Sequence, residues 1–157
     1  AIDGKFYSDN QIGLKCRKDA KYPVLDSIGS MYDKVNNKFY FYEHEFTEWV
    51  DGVPEYTKSV ITDLEKHCSV TFGRIRIMRL HSKTGLSVHK DLEKRYHYVY
   101  ETNNNAFFGE KLSGDITAQC YHIPDNGHFY LVDTTREHFV YNGGWEPRIH
   151  LVLNIAN

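Results

Sequence analysis

The alternation of apolar and polar positions is strongest in the second half of the chain. Short segments rich in β-branched and aromatic residues alternate there with a period of two, and each ends near Gly, Asn, Asp or Pro. The segments are 74–80, 95–102, 106–108, 116–123, 129–132, 138–141 and 148–155. No helical pattern separates them, so we predict a mainly β fold: a jelly-roll barrel, or double-stranded β-helix of the cupin-like kind.

The first seventy residues have a different pattern. After Pro54, apolar residues recur near a 3.6-residue period, which predicts one amphipathic helix with proline in its first turn. These apolar residues are Tyr56, Val60, Ile61, Leu64 and Cys68. Before Pro54 the chain is irregular, with turn signals at Asp3-Gly4, Gly29 and Asn36-Asn37 and an aromatic segment at 39–46.

The length of 157 residues favours a single domain over residues 1–157. Within it we expect residues 1–70 to form an N-terminal helical layer that wraps the barrel. Residues 71–157 then form the jelly-roll core, which carries the functional site.

Charge and cysteine content exclude several classes of protein. The formal net charge is −2, with 19 basic and 21 acidic residues mixed along the chain, which disfavours nucleic acid and anionic membranes as partners. No stretch has the apolar length needed to cross a bilayer, so we expect a soluble protein. The three cysteines form no CxxC pair, which indicates reduced thiols in a cytoplasmic setting and excludes a zinc ribbon.

The segment VHKD contains two candidate metal ligands. His89 and Asp91 point to the same side of an extended segment, because side chains alternate along it. A third ligand must come from another strand, and His138 is the candidate, with His150 or His128 as substitutes. Two histidines and one carboxylate leave three metal positions open, as in the non-haem Fe(II) oxygenases. If the segment His89-Lys90-Asp91 is considered alone, the alternative is a polar surface turn before a strand.

Arg148 at the head of the last apolar segment is a candidate for binding an anion. The open metal positions admit a bidentate 2-oxo acid and O₂, and a buried guanidinium is the natural partner for the distal carboxylate of 2-oxoglutarate. The alternative is a charge at the edge of a strand.

Three sequence motifs together resemble a known family. They are VHKD, the RYH of 95–97 and the segment GHFYLVDTTREHFVYNGGWEPRIHLVLNI. The chain resembles the aspartyl/asparaginyl β-hydroxylase family of Fe(II)/2-oxoglutarate-dependent oxygenases, especially the bacterial branch that includes proline hydroxylases. The resemblance covers about half of the chain, roughly residues 74–155.

The resemblance implies a role for each matched residue. His89, Asp91 and His138 would bind Fe(II), and Arg148 would bind the distal carboxylate of 2-oxoglutarate. Arg95 and His97 match the family's Arg-x-His, which also faces the cosubstrate; a histidine satisfied in the core is the alternative for His97. The founding members have glycine in place of the carboxylate ligand, so Asp91 favours the branch that acts on amino acids.

The sequence therefore predicts a dioxygenase that hydroxylates an amino acid or a peptidyl Asp/Asn-type substrate and releases succinate and CO₂. Two other classes stay open: a jelly-roll module that binds metal or a small ligand without turnover, and a different metalloenzyme such as an isomerase or thiol dioxygenase. Substrate contacts are expected from the loops at the barrel mouth, with the aromatic segment as a possible lid. These loops are 82–88, 101–105 and 142–145. Trp145 is either a substrate wall or a packed turn residue, and Arg79 either meets a substrate carboxylate or is a solvated charge.

Overall fold

A computed structural model describes residues 10–30, 32–33, 35–112 and 117–156. The chain folds into two compact units, one within residues 1–77 and 153–157 and one of residues 78–152. The single domain with a wrapping layer up to residue 70 stays a prediction. The turn predicted at Asp3-Gly4 and the first residue of the strand predicted at 116–123 lie outside the described residues.

β-Strands make up most of the regular secondary structure in the described chain. The long strands are β6 (Phe72–Leu80), β7 (Thr84–His89), β8 (Arg95–Glu101), β9 (Ala106–Lys111), β10 (Ala118–Tyr121), β11 (Phe129–Val132), β12 (His138–Asn142) and β13 (Arg148–Ile155). The short ones are β1 (Gln11–Gly13), β2 (Lys15–Cys16), β3 (Tyr32–Asp33), β4 (Lys38–Phe39) and β5 (Glu48–Trp49). Every predicted strand is present, and 129–132 and 148–155 have the predicted bounds.

The strand order is that of a jelly roll. One sheet has the order β1-β6-β13-β8-β11 and the other β10-β9-β12-β7, so sequence neighbours from β6 to β9 alternate between sheets. β2 pairs with β5 and β3 with β4 in two small antiparallel sheets. Strands β6 and β13 have residues in both compact units. The predicted mainly β jelly-roll fold is confirmed.

The core of the unit 78–152 lies between strands of the two large sheets. Its buried cluster consists of Val99, Phe108, Ile123, Val132 and Val140, with Leu80 and Tyr130 packed against it. All but Ile123, which follows β10, are inward-facing positions of period-two strands, and the burial of the cluster supplies the main favourable free energy of folding for this unit.

The unit of residues 1–77 and 153–157 contains the predicted amphipathic helix, α2 (Glu55–Cys68). Pro54 precedes its first residue, and Ser69 ends it in the left-handed conformation with φ 55°. The predicted apolar face is only partly buried: Ile61 is buried, whereas Tyr56 is 80% exposed. Two further helical turns, α1 (Pro23–Asp26) and a 3₁₀ turn at Glu43–Glu45, lie where the sequence pattern is irregular.

A buried ion pair connects the 3₁₀ turn of this unit to β6. Glu43 accepts hydrogen bonds from Nε of Arg74 at 3.0 Å, from the backbone N–H of Arg74 at 2.9 Å and from Nδ2 of Asn154 at 2.7 Å. Arg76 donates to Oδ1 of Asn154 at 3.3 Å. Both oxygens of the buried carboxylate are therefore satisfied, which a buried charge requires.

No helix in the described ranges is long and apolar enough to cross a membrane. The thiols of Cys16, Cys68 and Cys120 are free. A cytoplasmic location stays a prediction.

Candidate metal centre

Two neighbouring antiparallel strands bring the two histidines of the centre together. β7 ends at His89 and β12 begins at His138, and these residues are direct partners in the strand register. Asp91 follows two residues after β7, where its backbone N–H donates to the carbonyl of Thr134 at 2.9 Å. The three predicted ligands thus lie at one end of the sheet.

The side chains of His89, Asp91 and His138 converge. One ligand atom from each lies within 4.8 Å of the other two. Nε2 of His138 is 3.5 Å from Oδ2 of Asp91, and the two imidazole ring centroids are 4.2 Å apart. Atoms at these separations can share a single ion, because metal-to-ligand bonds of about 2.0–2.2 Å place neighbouring donors about 3 Å apart.

Backbone carbonyls fix the tautomer of both histidines. Nδ1 of His89 lies 2.7 Å from the carbonyl oxygen of Ser87, and Nδ1 of His138 lies 2.9 Å from that of Arg136. A carbonyl can only accept, so each Nδ1 carries the proton and donates it. In the neutral ring Nε2 then keeps the free lone pair, which is the form that binds a metal.

The environment of His138 keeps its ring neutral and immobile. The ring is 2% exposed and stacks on Phe108 with ring centroids 5.1 Å apart and an interplanar angle of 11°. Burial, the largest cause, lowers the pKa of His138, and the nearby His89 lowers it further. A neutral ring with a fixed orientation is the state that a metal ligand needs.

The carboxylate of Asp91 has one engaged oxygen and one free oxygen. Oδ1 pairs with Nη2 of Arg95 at 2.6 Å. Oδ2 is buried and has no hydrogen-bond partner in the described part of the chain, and it faces His138. A buried carboxylate oxygen without a donor is costly, and a cation removes that cost. Two imidazoles and one carboxylate oxygen therefore fit a divalent ion such as Fe(II).

A second polar group lies inside the same unit, on β13. Arg148 is buried, and its Nη2 atom has no hydrogen-bond partner among the described residues. Burial lowers the pKa of its guanidinium to about 10. His150, two residues further on the same side of the strand, is fully buried, and its Nε2 atom also has no partner in the described ranges. Burial and the nearby Arg148 lower the pKa of His150, which is therefore neutral.

His97 on β8 lies beside this group. Its Nδ1 is 3.3 Å from Nδ1 of His150, and the two rings meet edge to face with centroids 5.5 Å apart. One ring donates and the other accepts in this contact, because two acceptors or two donors would repel. The buried side chains of Arg148, His150 and His97 thus form a polar interior with donor capacity for an anion.

The structure places each predicted site residue as follows. His89, Asp91 and His138 form the cluster, Arg95 contacts Asp91, His97 contacts His150, and Arg148 is buried on β13. The proposed substitutes for His138 are not in the cluster, since His150 pairs with His97 and His128 is exposed. Sequence reasoning missed the carbonyls of Ser87, Arg136 and Thr134, because a backbone carbonyl carries no residue-specific signal.

Two of the predicted substrate contacts have different surroundings from those expected. Residues 84–88 form most of β7 rather than a mouth loop. Trp145 is 80% exposed and lies under the ammonium of Lys83, 4.5 Å from its ring, so the interpretation as a packed turn residue is wrong. Lys83 also donates to the carbonyl of Gly143. Arg79 is exposed, as expected for an outer-face charge.

The sequence matches one family model, described as aspartyl/asparaginyl beta-hydroxylase, over residues 25–157. The chain belongs to this family. The match includes every residue of the metal cluster and of the polar group on β13. No curated protein sequence matches the chain significantly.

Solved structures with the same fold include a 2OG-Fe(II) oxygenase family oxidoreductase from Burkholderia pseudomallei. The TM-score is 0.56 at 13% identity, and the match covers 69% of this chain and 61% of that one. A weaker match is Drosophila melanogaster CENP-C bound to CAL1, with TM-score 0.42, 10% identity and coverage of 51% and 60%. The chain spans about three fifths of the length of both proteins. At these identities the likeness to the Burkholderia protein shows the fold.

Proposed function

We propose that the protein is an Fe(II)- and 2-oxoglutarate-dependent dioxygenase that hydroxylates an unactivated C–H bond. The reaction consumes O₂ and 2-oxoglutarate and releases succinate and CO₂. The observation that carries the proposal is the convergence of ligand atoms from His89, His138 and Asp91, whose Oδ2 has no hydrogen-bond partner among the described residues. Membership of the aspartyl/asparaginyl β-hydroxylase family supports a hydroxylase of the oxygenase type.

In this proposal His89, Asp91 and His138 are the residues that would hold Fe(II). When bound, the iron supplies the activation of O₂ that is coupled to decarboxylation of the 2-oxo acid. The chain's own residues orient the ligands: the carbonyls of Ser87 and Arg136 accept from Nδ1 and so direct Nε2 of each ring toward the site.

Arg148 is proposed to bind the distal carboxylate of 2-oxoglutarate. Its buried Nη2 lacks a partner among the described residues, and a carboxylate is the group that a guanidinium binds most strongly. The neutral His150 beside it offers a second hydrogen-bonding atom without a further charge. Arg95 and His97 stay predicted cosubstrate contacts.

The substrate is proposed to be a free amino acid or a peptide. Asp91 supports the amino-acid branch, because the founding peptidyl-Asp/Asn hydroxylases have glycine at that position. Residues 101–105 and 142–145 and the exposed Trp145 are candidates for recognising it.

Succinate formation tests the proposal. The purified chain is given Fe(II), ascorbate and 2-oxoglutarate, with and without a panel of free amino acids and short peptides. We expect slow succinate release without substrate and faster release with one panel member, and we expect both to be lost in His89→Ala and Arg148→Ala. His128→Ala is the matched control, because His128 is exposed and outside the cluster.

The second candidate is a jelly-roll module that binds metal without turnover, for which the same metal cluster is the supporting observation. Metal binding with no succinate and no visible absorption band on adding 2-oxoglutarate to the Fe(II) protein would favour that function and reject the oxygenase.

A further inference from the structure

We propose that Arg95 is a positioning residue that restricts Asp91 to one ligand oxygen and so keeps a metal position free. This inference rests on the proposed function. In it, Arg95 acts on the metal site by holding one oxygen of Asp91. The contact that carries it is the ion pair between Nη2 of Arg95 and Oδ1 of Asp91, 2.6 Å long, with side chains only 13% and 15% exposed.

Both ends of this ion pair are anchored by the backbone. Arg95 is the first residue of β8 and lies opposite Val132 in the register with β11. Asp91 is held by its N–H to the carbonyl of Thr134. The hydroxyl of Thr134 donates to the carbonyl of Glu93 at 2.6 Å, within the turn that joins Asp91 to Arg95. The pair is therefore a fixed element of the site, unlike a flexible surface ion pair.

The ion pair makes the two oxygens of Asp91 chemically different. Oδ1 accepts a short charge-assisted hydrogen bond, and Oδ2 is the oxygen that faces Nε2 of His138. Carboxylates bind metals through one or both oxygens. Because the guanidinium holds Oδ1 in place and makes it the weaker donor to a cation, Arg95 favours binding through Oδ2 alone.

The number of ligand oxygens decides what else can bind. Three protein donors on an octahedral ion leave three positions, which accommodate a bidentate 2-oxo acid and O₂. If Asp91 bound through both oxygens, two positions would remain. The 2-oxo acid would then compete with the carboxylate. Arg95 thus affects cosubstrate binding through Asp91, separately from the direct cosubstrate contact predicted for it.

Co(II) is a suitable probe, because its visible d–d absorption reports coordination and needs no turnover. Co(II) affinity and spectrum are measured without 2-oxoglutarate, and 2-oxoglutarate is then titrated. The variants are Arg95→Met, which keeps the aliphatic stem, and Arg95→Lys, which keeps the charge. Arg17→Met is the matched control, since Arg17 forms a short arginine–carboxylate pair with Asp26 and not with a ligand.

For Arg95→Met we expect a Co(II) affinity within about threefold of wild type or tighter, a changed d–d spectrum before any 2-oxoglutarate is added, and 2-oxoglutarate binding at least about tenfold weaker. Arg95→Lys should restore most of the wild-type spectrum, and Arg17→Met should match wild type. In an Asp91→Gly background, Arg95→Met should leave the spectrum unchanged, because the residue through which Arg95 acts is gone.

Three results would overturn the inference. An unchanged spectrum with weaker 2-oxoglutarate binding would mean that Arg95 acts only by contacting the cosubstrate directly. Loss of Co(II) binding in Arg95→Met without recovery in Arg95→Lys would mean a purely structural role. A spectral effect of Arg95→Met that persists in the Asp91→Gly background would show that it does not act through Asp91. Failure of the wild-type protein to bind Co(II) is a separate outcome, which rejects the proposed function itself.

Discussion

Nε2 of His138 lies 3.5 Å from Oδ2 of Asp91, and these atoms come from a β-strand and from the turn that follows its neighbour. Both groups are held by backbone hydrogen bonds, Asp91 to Thr134 and His138 to Arg136. The donors are therefore in place in the apo chain, and a metal has little ordering entropy to overcome on binding.

Removing a histidine ligand should abolish metal binding while the fold persists. We expect His89→Ala to weaken Co(II) binding by roughly 100-fold or more, because two donors remain and changes to the groups that merely orient a ligand already cost roughly 10- to 100-fold. Isothermal titration calorimetry measures the affinity, and circular dichroism checks the fold. His128→Ala should bind as wild type does; equal affinities in His89→Ala and wild type would place the metal elsewhere.

Replacing Arg148 should affect 2-oxoglutarate and leave the metal site intact. Arg148→Gln removes the buried charge, and we expect the KM for 2-oxoglutarate to rise by roughly 30- to 1000-fold, equivalent to about 2–4 kcal/mol for a buried charged pair. Arg148→Lys should have a KM for 2-oxoglutarate between those of wild type and Arg148→Gln, because an ammonium keeps the charge but lacks the planar fork of a guanidinium. A Co(II) affinity that drops in parallel would contradict separate roles for Arg148 and the triad.

The buried His150 should make the apo protein sensitive to acid. Its folded-state pKa is lowered below the unfolded value of about 6.5, so below that pH the unfolded chain takes up a proton that the folded chain does not. The free energy of unfolding therefore falls as the pH falls below about 6.5, by up to about 1.4 kcal/mol per pH unit from this residue. Arg148, His97 and His122 all disfavour its protonation.

Urea unfolding between pH 7 and pH 5 measures this dependence. His150→Leu should reduce the slope, because the replacement cannot titrate, whereas His128→Leu should leave it unchanged. An unaltered slope in His150→Leu would show that other groups, such as His138, cause the acid sensitivity.

Breaking the buried ion pair of Glu43 and Arg74 should lower the free energy of unfolding. Glu43→Ala leaves the buried guanidinium without its partner, so we expect a loss of about 3–5 kcal/mol in the free energy of unfolding. Asp63→Ala is the control, because it breaks an exposed pair with Lys66 that is worth about 0–1 kcal/mol. Similar losses in both variants would contradict a buried role for Glu43.

The sequence predicted the strands whose residues alternate clearly, and it missed β7. Thr84–His89 contains a glycine and only two large apolar residues, Leu86 and Val88, and both are exposed. Its strand conformation arises from pairing with β12 at the edge of the sheet, which is a tertiary effect that periodicity does not encode. The two-residue strands before residue 50 are too short to show any period.

For the candidate site, the sequence indicated individual residues but not the contacts between them. Alternation placed His89 and Asp91 on one side, His138 and Arg148 were candidates from the later strands, and the resemblance implied a role for each of the four. Contacts between distant segments were not predictable: the pairing of His97 with His150 and the stacking of Phe108 on His138 depend on which strands become neighbours. The ion pair of Arg95 with Asp91 depends on a turn geometry that sequence spacing alone does not specify.

The tautomers of His89 and His138 are set by main-chain oxygens, and every amino acid has such an oxygen. Substitutions of the Ser87 and Arg136 side chains therefore leave the orientation of the ligand nitrogens unchanged. Positions beside the ligands are thus mutationally tolerant, and natural variation or directed evolution can alter the surface around the metal without altering how the metal is held.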